Sequence, residues 1–249
     1  MTVTVAISLK MYFSHARTLN YCASVAELAV RDAGVARGTT ELVVLPTFVS
    51  IPGALGLLAG TPVRVGAQDL CTDDAGAFTG EVSGAELAEL GCSHVEVGHA
   101  ERRRLFGEDE AMVTAKTGAA IRNGLVPILC VGEPTRVEPG PAADVCVRQT
   151  LAALEGGDLS ARIVVAYEPH WAIGQPHPAP TGYVREVCER TRSALAGRLA
   201  DFAILYGGSA GPGLLTELSS SVDGLFLGRF AHEPQAVQQV LDEAGRPLR

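Results

Sequence analysis

Short runs of β-branched and other apolar residues recur along the chain at Val3–Ile7, Leu42–Leu45, Val63–Gly66, His94–Val97, Val126–Val131, Ile163–Tyr167, Phe202–Tyr206 and Leu225–Leu227. Between them the spacing turns helical, as in Leu19, Ala23, Ala26 and Val30, with helix punctuation at Gly34 after the first helix and Pro212 opening the seventh. Strand alternating with helix predicts parallel strands joined by right-handed crossovers, each unit taking roughly 30 residues or more. Eight units nearly fill the 249 residues with none left over, which favours a closed α/β barrel, (β/α)8, over a doubly wound open sheet. No linker or low-complexity stretch interrupts the pattern, so a single domain over residues 1–249 is expected.

In such barrels the chemistry sits on loops leaving the C-terminal ends of the strands. Just past each run stand Ser8 and Lys10, Pro46, Gln68 and Asp69, His99 and Glu101, Gly132 and Glu133, Glu168, Gly207-Gly208-Ser209, and Gly228-Arg229. Glu168 ends an apolar strand, where partial desolvation raises a carboxyl's pKa and makes a usable base; a helix cap or ion-paired glutamate is the plainer alternative. His99 opens a helix, whose N-terminus disfavours the imidazolium, so a neutral ring there can polarise a carbonyl. Lys10 offers a point charge for a phosphate or a developing oxyanion, or snorkels at the surface. The glycine turns after the last two strands expose backbone N–H groups as an anion cradle. A base, a neutral electrophile, a cation and a phosphate cradle together suit proton transfer next to a carbonyl.

Composition narrows the classes. With 47% hydrophobic and 19% charged residues the chain can bury a large core, which excludes disorder as its main theme. A formal charge of −8 disfavours a nucleic-acid partner. The one dense basic run, Arg102-Arg103-Arg104, reads equally as an ion-paired helix start or a binding patch. No run approaches the roughly 18 apolar residues of a membrane helix, and no signal-peptide pattern opens the chain, so a soluble, cytoplasmic protein is expected. The cysteines at 22, 71, 92, 130, 146 and 188 form no CxxC pair and fit reduced core thiols. The histidines at 15, 94, 170, 177 and 232 lack metal-ligand spacing, and no nucleotide fingerprint appears, so neither metal nor cofactor is expected.

Val97-Gly98-His99-Ala100-Glu101-Arg102-Arg103 and Ala166-Tyr167-Glu168-Pro169-His170-Trp171-Ala172-Ile173-Gly174 closely resemble the triosephosphate isomerase family. The resemblance continues through Gly76-Ala77-Phe78-Thr79-Gly80-Glu81, Leu129-Cys130-Val131-Gly132-Glu133 and Tyr206-Gly207-Gly208-Ser209, and so spans the chain. It implies a TIM barrel and an isomerase interconverting glyceraldehyde 3-phosphate and dihydroxyacetone phosphate without a cofactor. Glu168 would move the proton between carbons, His99 would shuttle hydrogen between oxygens, Lys10 would stabilise the enediolate, and Glu101 joins them as a catalytic residue. Ser8, Lys10, Gly174, Ser209, Gly228 and Arg229 would bind substrate and its phosphate. Residues 169–179, including Pro169, Trp171, Ala172, Ile173 and Gly174, would form a lid that excludes water. The Gly76–Glu81 loop resembles the arm of a homodimer, with Phe78, Thr79 and Arg102 at the interface.

The chain departs from the family pattern at four places. Ser8 replaces an Asn with Leu9 in place of Trp, and Ala100 replaces a Ser. Gln175-Pro176-His177-Pro178-Ala179-Pro180 replaces a Thr-Gly-Lys-Thr type hinge, and Gly228-Arg229 replaces Gly-Gly. Ser8 is expected to weaken the dimer, and the prolines to stiffen the lid. Arg229 either adds charge to the phosphate site or points away and leaves only its backbone N–H there; the crowded turn favours the second. Asp223–Arg229 also resembles the paralogous isomerases of four-carbon erythrulose phosphates, which is the alternative substrate. A weakened paralogue that only binds phosphorylated ligands is the alternative class.

Overall fold

The apolar runs pair side by side in the order in which they occur. In the computed structural model, which describes residues 2–246, eight parallel strands close into a barrel. They are β1 (Val3–Ser8), β2 (Thr40–Leu45), β3 (Arg64–Ala67), β4 (His94–Val97), β5 (Val126–Val131), β6 (Ile163–Tyr167), β7 (Phe202–Tyr206) and β8 (Gly224–Leu227). Closure is made by β1 against β8, with Ile7 opposite Leu227, while Ser8 lies opposite Leu45 on the other side. Gly224 permits this seam, because a Cβ there would collide with the Thr4 backbone and its φ is +156°. The expected span of 1–249 extends at both ends beyond the described residues.

Alternation along each strand sorts two cores. Ala6, Val43, Leu45, Ile128, Cys130, Val164, Ala166, Leu205 and Phe226 fill the barrel interior. Their neighbours, such as Val5, Ile7, Val44, Val95, Val97, Val165 and Ile204, face outward against the helices. On β4 the alternation places His94 and Glu96 on the inner side, where an otherwise apolar barrel receives two titratable groups.

Several local expectations shift. β2 begins at Thr40 rather than Leu42, and β3 is displaced by one residue to Arg64–Ala67. In the first helix, His15–Arg31, capped by Ser14, the buried stripe is Thr18, Tyr21, Cys22, Val25 and Ala29; Val30 of the expected stripe is exposed. Gly34 does not end that helix but lies in a short turn of helix after it, Ala33–Ala36. The seventh helix starts at Leu214, two residues after Pro212. All six cysteines are buried free thiols. Among the described residues no helix is long and apolar enough to cross a membrane.

Candidate active site

Three strands that are distant in sequence bring the reactive groups to one point in the mouth. Lys10 follows β1 with φ of 47°, a left-handed conformation unusual for a residue with a side chain. Its carbonyl accepts a bond from Gln68 Nε2 at 3.1 Å, which holds the strained turn to β3. Lys10 Nζ then stands 2.8 Å from His99 Nε2 and 3.2 Å from Glu101 Oε2. His99 caps the helix Ala100–Phe106, and its Nδ1 accepts from the Glu101 N–H at 3.1 Å. That bond leaves the ring proton of neutral His99 on Nε2, so an N–H and an ammonium converge on one spot, as the stabilisation of an oxyanion requires.

Glu168 follows β6, 5% exposed, with Oε2 lying 3.3 Å from His99 Nε2 and making no hydrogen bond. The carboxylate fits only because residue 207 is glycine: a Cβ there would sit 2.7 Å from Glu168 Cγ. Burial raises the Glu168 pKa above its usual value, and Lys10 pulls the other way. Burial, then the Lys10 charge, hold the His99 pKa well below the usual imidazole value, so the ring is neutral. Burial opposes charge on Lys10, but the carboxyls of Glu96, Glu168 and Glu101 outweigh it and raise its pKa.

Two of the expected phosphate-binding residues, Ser209 and Arg229, follow β7 and β8. Ser209, at φ of 57°, has its hydroxyl 2.9 Å from the Ala172 carbonyl and 3.0 Å from that of Gln175. The Arg229 guanidinium is exposed and donates to the carbonyls of Gly174 at 2.8 Å and Gln175 at 2.9 Å. A long side chain clears the crowded turn by lying along the lid. Gly174 has φ of +73° and, with Ile173, Ser209 and Gly228, lines the same cavity as Lys10 and Glu168.

The loop expected to form the lid is anchored at both ends. After Pro169 a turn of 3-10 helix, His170–Ala172, carries Trp171, whose Nε1 donates to Glu133 Oε1 at 2.7 Å; Tyr167 and Tyr183 hydroxyls donate to the same carboxylate. The Ala179 N–H donates to Tyr206 Oη at 3.0 Å. Pro180 lies at the N-cap of the next helix, Thr181–Leu195, which leaves Pro176 and Pro178 of the expected hinge in the loop before it.

Phe78 and Thr79 lie exposed on the Gly76–Glu81 loop. Within the chain Arg102 pairs with Glu108 at 2.5 Å and Asp69 at 2.8 Å, a network that Lys116 completes between the same two carboxylates. Arg103 likewise pairs with Glu110, so the basic run is a helix start with two of its arginines in ion pairs.

Sequence reasoning passed over Glu96. It is 3% exposed inside the barrel, where it accepts from Ser8 Oγ at 2.9 Å and has Oε1 3.9 Å from His99 Nε2. The signal was present in the alternation His94-Val95-Glu96-Val97, which puts charge on the inner face of a barrel strand.

The triosephosphate isomerase family model matches residues 3–244. The L-erythrulose-1-phosphate isomerase of Pectobacterium atrosepticum is 49% identical, over 97% of this chain and 95% of its own. The triosephosphate isomerase of Symbiobacterium thermophilum is 38% identical, over 94% and 93%. Among solved structures, the triosephosphate isomerase of Bartonella henselae superposes with a TM-score of 0.83 at 28% identity, covering 99% of this chain and 100% of that one.

Proposed function

Since the chain belongs to the triosephosphate isomerase family, we propose that it shifts a carbonyl along a small sugar phosphate through an enediolate. The observation that carries this reading is the meeting of the unpartnered Glu168 Oε2 with His99 Nε2 at 3.3 Å and of that nitrogen with Lys10 Nζ at 2.8 Å. Glu168 takes a proton from the carbon next to the carbonyl. The C–H electrons form the C=C bond, and the carbonyl π electrons move to oxygen, where Lys10 and the His99 N–H stabilise them. His99 moves a proton between the two oxygens, and Glu168 returns its proton to the former carbonyl carbon. Triosephosphate isomerase is itself the general example of this tuning of a glutamate beside a neutral imidazole.

The motifs alone put triose phosphate first. The 49% identity to an erythrulose-phosphate isomerase, against 37% to 43% for the triosephosphate isomerases, moves the four-carbon reading ahead. On L-erythrulose 1-phosphate the carbonyl would pass from C2 to C3, giving erythrulose 4-phosphate. The triose reading keeps the support of the family match and of the shared mouth residues. Intact placement of Lys10, His99 and Glu168 speaks against a protein that only binds. Phosphate would be held by Gly174, Ser209 and the backbone at Gly228 and Arg229, with the lid excluding water.

A homodimer is part of this proposal. Met11, Val49, Phe78, Leu105 and Phe106 are large apolar residues exposed on the segments that follow β1 to β4, one side of the mouth, which is where a partner would cover them. Light scattering over a wide dilution range tests it, and a concentration-independent monomer mass would contradict it. Function is tested with three- and four-carbon sugar phosphates in both directions, in ordinary and deuterated water. Turnover with solvent deuterium entering carbon is expected, and none above a Glu168→Ala control sinks the reading.

A further inference from the structure

Proton transfer as described uses Glu168, His99 and Lys10, and leaves one carboxyl in the same interior without a task. Glu96 faces inward from β4, and Ser8, the last residue of β1, donates its hydroxyl proton to Glu96 Oε2 at 2.9 Å. The bond joins strands a quarter to a half of the ring apart, and its Ser8 end lines the same cavity as Lys10 and Glu168. Among the described residues Glu96 Oε1 makes no hydrogen bond, and it lies 3.9 Å from His99 Nε2. We propose that the Ser8–Glu96 pair is the subsite for the terminal hydroxymethyl group of a four-carbon ketose phosphate.

This rests on the enediolate reading, and its first support is direction. The phosphate-binding candidates Gly174, Ser209 and Gly228 follow β6, β7 and β8, whereas Ser8 and Glu96 end β1 and line β4. A substrate with its phosphate at the first side and its reacting carbons among Lys10, His99 and Glu168 extends its remaining carbon toward the second. A three-carbon substrate has no such carbon, so the pair would contact only the longer one.

The second support is hydrogen-bond chemistry. A hydroxyl needs an acceptor for its proton and a donor for its lone pairs. Ser8 has spent its proton on Glu96 and keeps lone pairs to accept with. Glu96 supplies a donor if it is protonated, and its surroundings favour that: burial, with the nearby Glu168 carboxylate and Glu101, pushes its pKa up to about 8 against the opposing pull of Lys10 and the Ser8 bond. The groups around it are Lys10, His99, Glu168, Glu101, Ser8 and the buried Cys130 thiol. A neutral carboxyl also avoids placing a second negative charge beside the enediolate.

The third support is selectivity. A buried polar pair left without its hydroxyl partner penalises the shorter substrate, which is how sites built to bond a hydroxyl reject analogues that lack it. The experiment compares kcat/KM for L-erythrulose 1-phosphate and dihydroxyacetone phosphate in the wild type, Glu96→Leu, Glu96→Gln and Ser8→Ala. Where a substrate turns over too slowly, its inhibition constant takes the place of kcat/KM. The four-carbon to three-carbon ratio is expected to fall about tenfold or more in Glu96→Leu and severalfold in Ser8→Ala. Glu96→Gln, whose amide both donates and accepts, should keep the ratio within about threefold. If Glu96→Leu fails to fold, Ser8→Ala decides alone. An unchanged ratio, with both substrates slowed alike, overturns the subsite and makes Glu96 a positioning residue for His99 and Lys10. A wild type that handles only the three-carbon compound also overturns it. Loss of turnover on both substrates already in the wild type is a different result and overturns the enediolate reading itself.

Discussion

Across the mouth of this barrel, the groups beside β1, β4 and β6 differ in kind from those that follow β6, β7 and β8. On the first side Ser8, Glu96, His99 and Glu168 are each 5% exposed or less; Ser8 bonds Glu96, His99 accepts from backbone, and Glu168 Oε2 has no partner. On the second side the exposed Arg229 and the hydroxyl of Ser209 reach main-chain carbonyls of a lid. Desolvation tunes a base and a neutral imidazole, and it needs walls that do not move. Gripping and releasing a phosphorylated ligand needs bonds that form and break with the lid, and exposed polar bonds serve that purpose at small cost.

Removing the base should break the first side most. Glu168→Gln is expected to lower kcat roughly 10³-fold with the fold retained, while Glu168→Asp loses about 10²-fold through misplacement of the carboxylate. Steady-state kinetics with thermal melts would check both, and a loss under tenfold in Glu168→Gln would assign the base elsewhere. The raised Glu168 pKa carries a sign as well. The base works only when ionised, so kcat/KM should rise with pH through an acid limb lying above the usual carboxyl value of 4.5.

Stability offers the next largest test. Burial pushes the Glu96 pKa up to about 8 from the usual 4.5 of the unfolded chain, so between those values the folded state holds the extra proton. Its contribution therefore falls as pH rises through that window, by an amount on the order of a few kcal/mol. Urea titrations at pH 5 and pH 8.5 should show a shallower decline in Glu96→Gln than in the wild type. An identical decline would show that the buried carboxyl is ionised throughout.

On the lid side smaller changes are expected. Arg229→Gly removes two bonds to the lid and should raise the Michaelis constant about threefold to tenfold, with kcat changed less, because exposed charged bonds are partly screened. A fall in kcat without a change in the Michaelis constant would place Arg229 with the chemistry instead. Replacing Gln175–Pro178 by Thr-Gly-Lys-Thr should change turnover by no more than a few-fold. Stopped-flow measurement of ligand release would reveal whether Pro176 and Pro178, each fixing φ near −65°, slow the lid.

Local patterns were enough to determine the alternation of eight strands with helices, because β-branched clusters and helical spacing act over a few residues and do not depend on the rest of the chain. They also placed Lys10, His99 and Glu168 at strand ends, where the barrel rule puts chemistry. The buried stripe of the first helix came out a position away from Leu19 and Val30, since what a helix buries is settled by the sheet it packs on. Closing the ring decided the rest. Ser8 meets Glu96 across 88 positions of sequence, Arg102 and Lys116 share the carboxylates of Asp69 and Glu108, and Arg229 finds lid carbonyls 55 and 54 positions away. Whether a side chain is buried, and so how far the pKa values of Glu96 and Glu168 rise and whether His99 stays neutral, depends on what surrounds it in space. That is a property of the closed barrel and not of any segment of it.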